Sequence, residues 1–256
     1  MLFVMWNDVI DLDEFYRSQL GHVARRTIRR RIRAVWPDVR GMTVLGLGYA
    51  TPYLRQFRSE AERVMAIAPA SQGVIPWPPA EPGLIALAYE TEFPIPDLSI
   101  DRLLMVHAVE SSEQLRGMMR EAWRVLKGNG RLLAVVPNRT GVWARSERTP
   151  FGHGRPYSNG QIRRLLRDCL FTPGDTVRAL YVPPIRRRLV LKSAGAFEQI
   201  GNRLFQTFAG VLLIEATKQV YAATPDKVPE RRRRFVVLPG GAPAAQNLPR
   251  RDDFRS

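Results

Sequence analysis

Cysteine is nearly missing from this chain. Cys169 is the single example, which excludes an internal disulfide framework and any cysteine-based zinc site. Histidine is almost as scarce, with only His22, His107 and His153, so no metal centre is expected. No apolar run approaches the roughly 18 residues needed to span a bilayer. The first residues, Met1-Leu2-Phe3-Val4-Met5-Trp6 followed by acids, lack the basic head of a secretory signal, and a cytoplasmic protein without a membrane span is expected. Internal repeats are missing as well.

What is present suffices for one substantial core with a tail left over, given 256 residues of which 45% are hydrophobic. Charge is the compositional outlier: the formal net charge is +15. Arginine supplies most of it, in a cluster of Arg25, Arg26, Arg29, Arg30, Arg31 and Arg33 and a second running from Arg231 to Arg234. Such a balance points to RNA, an anionic membrane surface or an acidic protein, or to a solvated basic face, and composition alone leaves these open.

Apolar positions at helical spacing (Phe15, Leu20, Val23, Ile28, Ile32, Val35) predict one helix over 12–36. Strands are expected at 43–47, 63–68, 84–88, 102–107, 132–136, 176–182 and 210–218, and helices at 52–59, 113–126, 159–170 and 189–206. Lys127-Gly128-Asn129-Gly130 reads as a basic last turn with a left-handed cap. Pro69, Pro76, Pro78, Pro79 and Pro82 forbid regular helix over 69–83, where Trp77 either stacks on a ligand ring or covers the sheet edge. Strands alternating with helices imply a doubly wound parallel sheet, whose ligand lies off the carboxyl ends of its strands. The expected division is a helical cap at 1–41, an α/β domain at 42–222 and a basic, mobile tail at 223–256. In that tail Arg231 to Pro239 joins a basic run to a short apolar segment, read first as a disordered terminus and second as a strand that adds to a partner's sheet edge.

Thr43 to Leu54, Thr-Val-Leu-Gly-Leu-Gly-Tyr-Ala-Thr-Pro-Tyr-Leu, reads as strand, tight turn and helix start. Thr51 suits the N-cap and Pro52 the first helical position. Gly46 and Gly48 let backbone approach a ligand, and the helix start points amide donors at an anionic group. A small-molecule cofactor with a carboxylate or phosphate fits such a turn.

Two further segments carry a family resemblance. Phe93-Pro94-Ile95-Pro96-Asp97-Leu98-Ser99-Ile100-Asp101 is similar to a Leu-Pro-Phe-Pro-Asp-x-Ser-Phe-Asp segment of the class I methyltransferases that use S-adenosylmethionine, in particular type 11. Glu121 to Leu133, Glu-Ala-Trp-Arg-Val-Leu-Lys-Gly-Asn-Gly-Arg-Leu-Leu, resembles that family's Glu-x-x-Arg-Val-Leu-Lys-Pro-Gly-Gly-x-Leu segment. The resemblance spans roughly 42–218. It implies a Rossmann-like fold with a seven-stranded sheet in order 3-2-1-4-5-7-6, the seventh strand antiparallel. It further implies that Gly46, Gly48, Tyr49, Ala50 and Thr51 line the methionine part of the cofactor and that Ala68 ends the strand beside its ribose. Glu90, Thr91 and Glu92 are then placed beside the adenine, and His107 faces the transferable methyl. His107, His153 and Tyr157 are the candidate catalytic residues, the last two in the acceptor-side loop.

The departures bear on function. Where the family carries an acid at the start of its first turn this chain has Gly46, its last glycine is Ala50, and the acid that grips the ribose is replaced by Ala68-Pro69. Cofactor binding is expected to be weakened, relocated or lost. Three readings follow: a methyltransferase acting on a small molecule, a methyltransferase fold with reduced catalysis that serves as a binding or regulatory partner, and an RNA methyltransferase suggested by charge alone. No Asn-Pro-Pro-Tyr segment follows the fourth strand, and Cys169 sits in a helical stretch. Methylation of a planar amine and cytosine-C5 chemistry are therefore not expected.

Overall fold

In the computed structural model the described residues are 8–185, 187, 190, 191 and 193–219. All of these fall in the first of two compact units, Met1–Val220. The expected tail and its arginine run lie outside the described residues.

The strands are β1 (Thr43–Gly48), β2 (Arg63–Pro69), β3 (Ile85–Ala88), β4 (Ile100–Val106), β5 (Leu126–Pro137), β6 (Phe171–Ala179) and β7 (Val211–Lys218). They form one sheet in the order β3-β2-β1-β4-β5-β7-β6. The pairs among β1 to β5 are parallel, and β7 runs antiparallel to both β5 and β6. This is the expected order, reversed strand included.

Both faces of the sheet are covered, which is why the central strands carry apolar residues on both sides, as in Val44 to Leu47 and Leu103 to Val106. Val44, Ala66, Leu104, Leu133 and Leu213 enter one core, and Leu45, Ile67, Leu103, Leu132 and Ile214 the other. The helices α1 (Val9–Arg17), α2 (Gln19–Val35) and α3 (Thr51–Leu54) cover the first face. Helices α4 (Leu115–Val125) and α5 (Asn159–Asp168) cover the second. A further helix, α6 (Ala194–Leu204), precedes β7. No helix among the described residues is long and apolar enough to cross a membrane.

The single helix expected over 12–36 is two helices. Ser18 has extended backbone, its amide donates to the Phe15 carbonyl at 3.0 Å, and its Oγ accepts from the Gly21 amide at 3.0 Å. One serine thus ends α1 and caps α2, a local competition that helical periodicity does not report. Ala50, not Thr51, holds the N-cap position of α3, with no side-chain cap. That short helix continues as a 3-10 turn over Arg55–Phe57. The sixth strand starts at Phe171 and ends at Ala179, earlier than expected, and the helix expected over 189–206 is described as α6.

The left-handed cap expected at 127–130 does not form. Leu126 turns directly into extended backbone (φ −69°, ψ 136°), and no residue from 127 to 130 has positive φ. The end of α4 is satisfied from elsewhere: the Leu98 amide donates to Arg124 O at 3.1 Å and the Ser99 amide to Val125 O at 2.9 Å. Side chains complete the junction. The Phe93 amide donates to Glu121 Oε2 at 2.8 Å, and the Arg124 guanidinium donates to Ile95 O at 2.9 Å and Phe93 O at 3.0 Å. Arg124 also pairs with Asp97 and Glu121. The two segments that carry the family resemblance are therefore two halves of one structural joint.

Candidate functional site

A cavity of about 530 Å3 opens off the carboxyl ends of β1 and β2. Gly48, Tyr49, Thr51 and Ala68 form its floor, Ile75, Trp77 and Ile85 a largely apolar wall, and α1 and α2 its other side. The floor is built by close packing. Gly48 has φ +78°, and a Cβ there would lie 2.4 Å from the Val106 carbonyl oxygen, so the turn over β4 admits only glycine. A Cβ at Gly46 would lie 2.6 Å from Leu54 Cδ1 and 2.8 Å from Ala50 Cβ. The acid that the family carries there has no room.

The cavity is basic. Arg17, Arg25, Arg29, Arg55 and Arg58 line it, against the acids Asp13 and Glu81. Both acids are committed: Asp13 pairs with Arg17 at 2.7 Å, and Glu81 pairs with Arg58, whose guanidinium also lies 5.8 Å from the centre of the Trp77 ring. Arg25 donates to His22 Nδ1 at 2.8 Å, and no described acid pairs with Arg25, Arg29 or Arg55.

Behind the cavity lies a buried chain of polar side chains. Tyr53 donates its hydroxyl proton to the Tyr16 oxygen at 2.8 Å, which leaves the Tyr16 proton for His107 Nε2, also at 2.8 Å. With Nε2 accepting, His107 Nδ1–H donates to Glu110 Oε1 at 3.0 Å. Glu110 Oε2 is buried without a hydrogen-bond partner. Tyr16 stacks on Tyr49 with ring centres 5.3 Å apart, and the Tyr49 hydroxyl donates to Asp13 at 3.2 Å. Burial is the main cause that pushes the Tyr16, Tyr49 and Tyr53 phenols above their ordinary pKa. None of them is a phenolate near neutral pH. Helix α1 is also tied down by the Val9 amide, which donates to Gln72 O at 2.8 Å, while Gln72 Nε2 donates to His107 O at 3.1 Å.

Of the residues expected at the cofactor, Gly48, Tyr49, Thr51 and Ala68 line the cavity, whereas Gly46 and Ala50 pack beneath it. Glu90 lies apart from that lining, its carboxylate accepting from Ser112 Oγ and the Gln114 amide, and Thr91 and Glu92 are exposed. His107 does not line the cavity either: only 3% of it is exposed, and its ring nitrogens are turned to Tyr16 and Glu110. His153 Nε2–H donates to the Glu147 carbonyl at 2.7 Å, in a loop away from the cavity lining. Tyr157 is buried in the core beneath α4 and α5, its hydroxyl without a partner and its pKa raised by burial. Cys169 ends α5 half-buried, and burial pushes its thiol up as well.

Residue-by-residue reading overlooked Tyr16 and gave Arg55 and Arg58 no role. The signal for Arg25 and Arg29 was present in their one-turn spacing. The cluster sorts by face, with Arg25 and Arg29 on the cavity and Arg33 one turn on, bonded to Glu60 at 2.6 and 2.7 Å.

Residues 44–134 match a methyltransferase domain family. No curated protein matches the chain. Among solved structures, one chain of the Haloferax volcanii complex between the Trm112 methyltransferase activator and a methyltransferase is 16% identical, with TM-score 0.57, covering 83% of this chain and 99% of its own. A Thermotoga maritima S-adenosylmethionine-dependent methyltransferase is 16% identical, with TM-score 0.56 and coverage of 84% and 97%. The Burkholderia thailandensis 1,6-didemethyltoxoflavin-N1-methyltransferase, solved with 1,6-didemethyltoxoflavin and S-adenosylhomocysteine, is 16% identical, with TM-score 0.52 and coverage of 83% and 85%. At such identities the likeness is one of fold.

Proposed function

We propose that this protein, a class I methyltransferase in fold, transfers a methyl group from S-adenosylmethionine to a small molecule by direct displacement. The observation that carries the reading is the place of the cavity, off the carboxyl ends of β1 and β2 in a doubly wound sheet, with a volume of about 530 Å3. The Burkholderia neighbour, with S-adenosylhomocysteine and a small acceptor, supports both donor and acceptor class.

The residues present fit the cofactor better at one end than at the other. The Gly48 to Thr51 turn suits its methionine part. Ala68 offers the ribose hydroxyls no acceptor. One missing charge-assisted bond forfeits about 1.5–3 kcal/mol, so affinity is expected to be roughly ten- to a hundredfold weaker than with the acid in place.

When bound, the cofactor supplies an electrophilic methyl, and the chain's task is alignment and handling of one proton. Helix α1 lines one side of the site through Val9, Asp13 and Tyr16. Tyr16 lines the cavity and bonds to His107 Nε2, so its hydroxyl accepts an acceptor proton as its own passes to His107, with Glu110 holding the resulting charge. On this reading His107 acts through Tyr16 and does not touch the methyl.

Calorimetric titration with S-adenosylmethionine and S-adenosylhomocysteine tests the proposal. Wild type is expected to bind both, Thr51→Trp to lose binding, and Ala68→Asp to bind about tenfold tighter. No binding by wild type at millimolar cofactor would sink it. That result would favour the second reading, a catalytically reduced fold working through a protein partner, which Ala68 and the Haloferax complex also support.

A further inference from the structure

We propose that the cavity holds the anionic end of a phosphate-bearing small molecule, clamped by Arg25, Arg29 and Arg55. If the methyl-transfer reading holds, that molecule is the acceptor, and this identification rests on that reading.

The argument is one of charge balance around an open cavity. Two of the five lining arginines, Arg17 and Arg58, already have carboxylate partners in Asp13 and Glu81. Arg25, Arg29 and Arg55 leave three positive charges without a described acid. S-adenosylmethionine does not answer them: its carboxylate neutralises one, and its own ammonium and sulfonium add two more. Uncompensated like charge around one cavity raises the free energy of the empty site and lowers that of an anion in it. Arg25 and Arg29 stand one turn apart on α2, while Arg55 approaches from the 3-10 turn after α3. Guanidinium groups from two elements suit several oxygens spread over a phosphate better than a single carboxylate. Trp77, Ile75 and Ile85 give the same cavity an apolar wall for the rest of the ligand.

Inorganic pyrophosphate serves as the probe, titrated calorimetrically into the full chain. Arg29 and Arg55 are exposed, so an Arg29→Gln, Arg55→Gln double variant keeps its fold, which circular dichroism checks. Pyrophosphate is expected to bind wild type and the control Arg120→Gln, an exposed arginine on α4, and to lose at least about tenfold in affinity in the double variant. Equal affinity in the double variant, or no binding to wild type, overturns the proposal, and succinate binding more tightly than pyrophosphate overturns the choice of phosphate. S-adenosylhomocysteine binding without pyrophosphate binding removes the anion clamp and leaves methyl transfer standing. Pyrophosphate binding without S-adenosylhomocysteine keeps the clamp and takes away its methyl donor.

Discussion

Tyr16 accepts a hydrogen bond from Tyr53, donates one to His107 and stacks on Tyr49, all with only 2% of its surface exposed. In Tyr16→Phe the Tyr53 hydroxyl loses its acceptor and His107 Nε2 its donor, two buried groups left unpaired. Stability is expected to fall by about 1–3 kcal/mol, read as a lower denaturant midpoint. The same burial sets a pH dependence. The phenols of Tyr16, Tyr49 and Tyr53 are raised in the folded state, while in the unfolded chain they ionise near 10. The folded protein therefore binds these protons more tightly. Their contribution is complete below pH 10 and is lost as pH rises above it. Absorbance titration should show Tyr16, Tyr49 and Tyr53 appearing as phenolates only together with unfolding, and gradual ionisation of every tyrosine near pH 10 would contradict this. Such effects are not legible from residue type: Tyr16 and His107 are 91 positions apart, and no local pattern pairs them.

The joint between α4 and the segment before β4 shows what a family motif can be for. Glu121 and Arg124 on α4 satisfy the Phe93 amide and the Phe93 and Ile95 carbonyls, and the backbone of Leu98 and Ser99 caps the helix end. Arg124→Met is expected to cost about 2–3 kcal/mol, since it strips charge-assisted bonds and leaves carboxylate and carbonyl groups unpaired. Thermal melting of this variant checks it. The Arg124 guanidinium holds the Glu121 carboxyl below its usual range. Glu121 thus stabilises the fold above the ordinary carboxylate pKa, and the contribution is lost as pH falls through the lowered one. The spacing of these residues was visible in sequence, but that they face one another was not. The same joint explains why Lys127-Gly128-Asn129-Gly130, by itself a good left-handed cap, is extended: the helix end already had partners from residues 98 and 99.

At the scale of the whole molecule, the excess of arginine is sorted by topology. Arg25 and Arg29 belong to the cavity and Arg33 to Glu60, while the run from Arg231 lies outside the described residues. Sequence by itself determined the layered α/β architecture and the strand order. Apolar runs of strand length alternating with helical periods leave few topologies, and the two motifs selected one of them. Of the residues that the resemblance places at the cofactor, Gly48, Tyr49, Thr51 and Ala68 share one cavity lining, because a strand end and the turn after it are contiguous in the chain. Only the tertiary structure decided that α1 lies over the floor, that His107 is hydrogen-bonded behind Tyr16, that Glu90 is engaged elsewhere, and that arginines from α2 and the turn after α3 meet in one cavity. Those relations join residues tens of positions apart, and packing fixes them where local propensity carries no information.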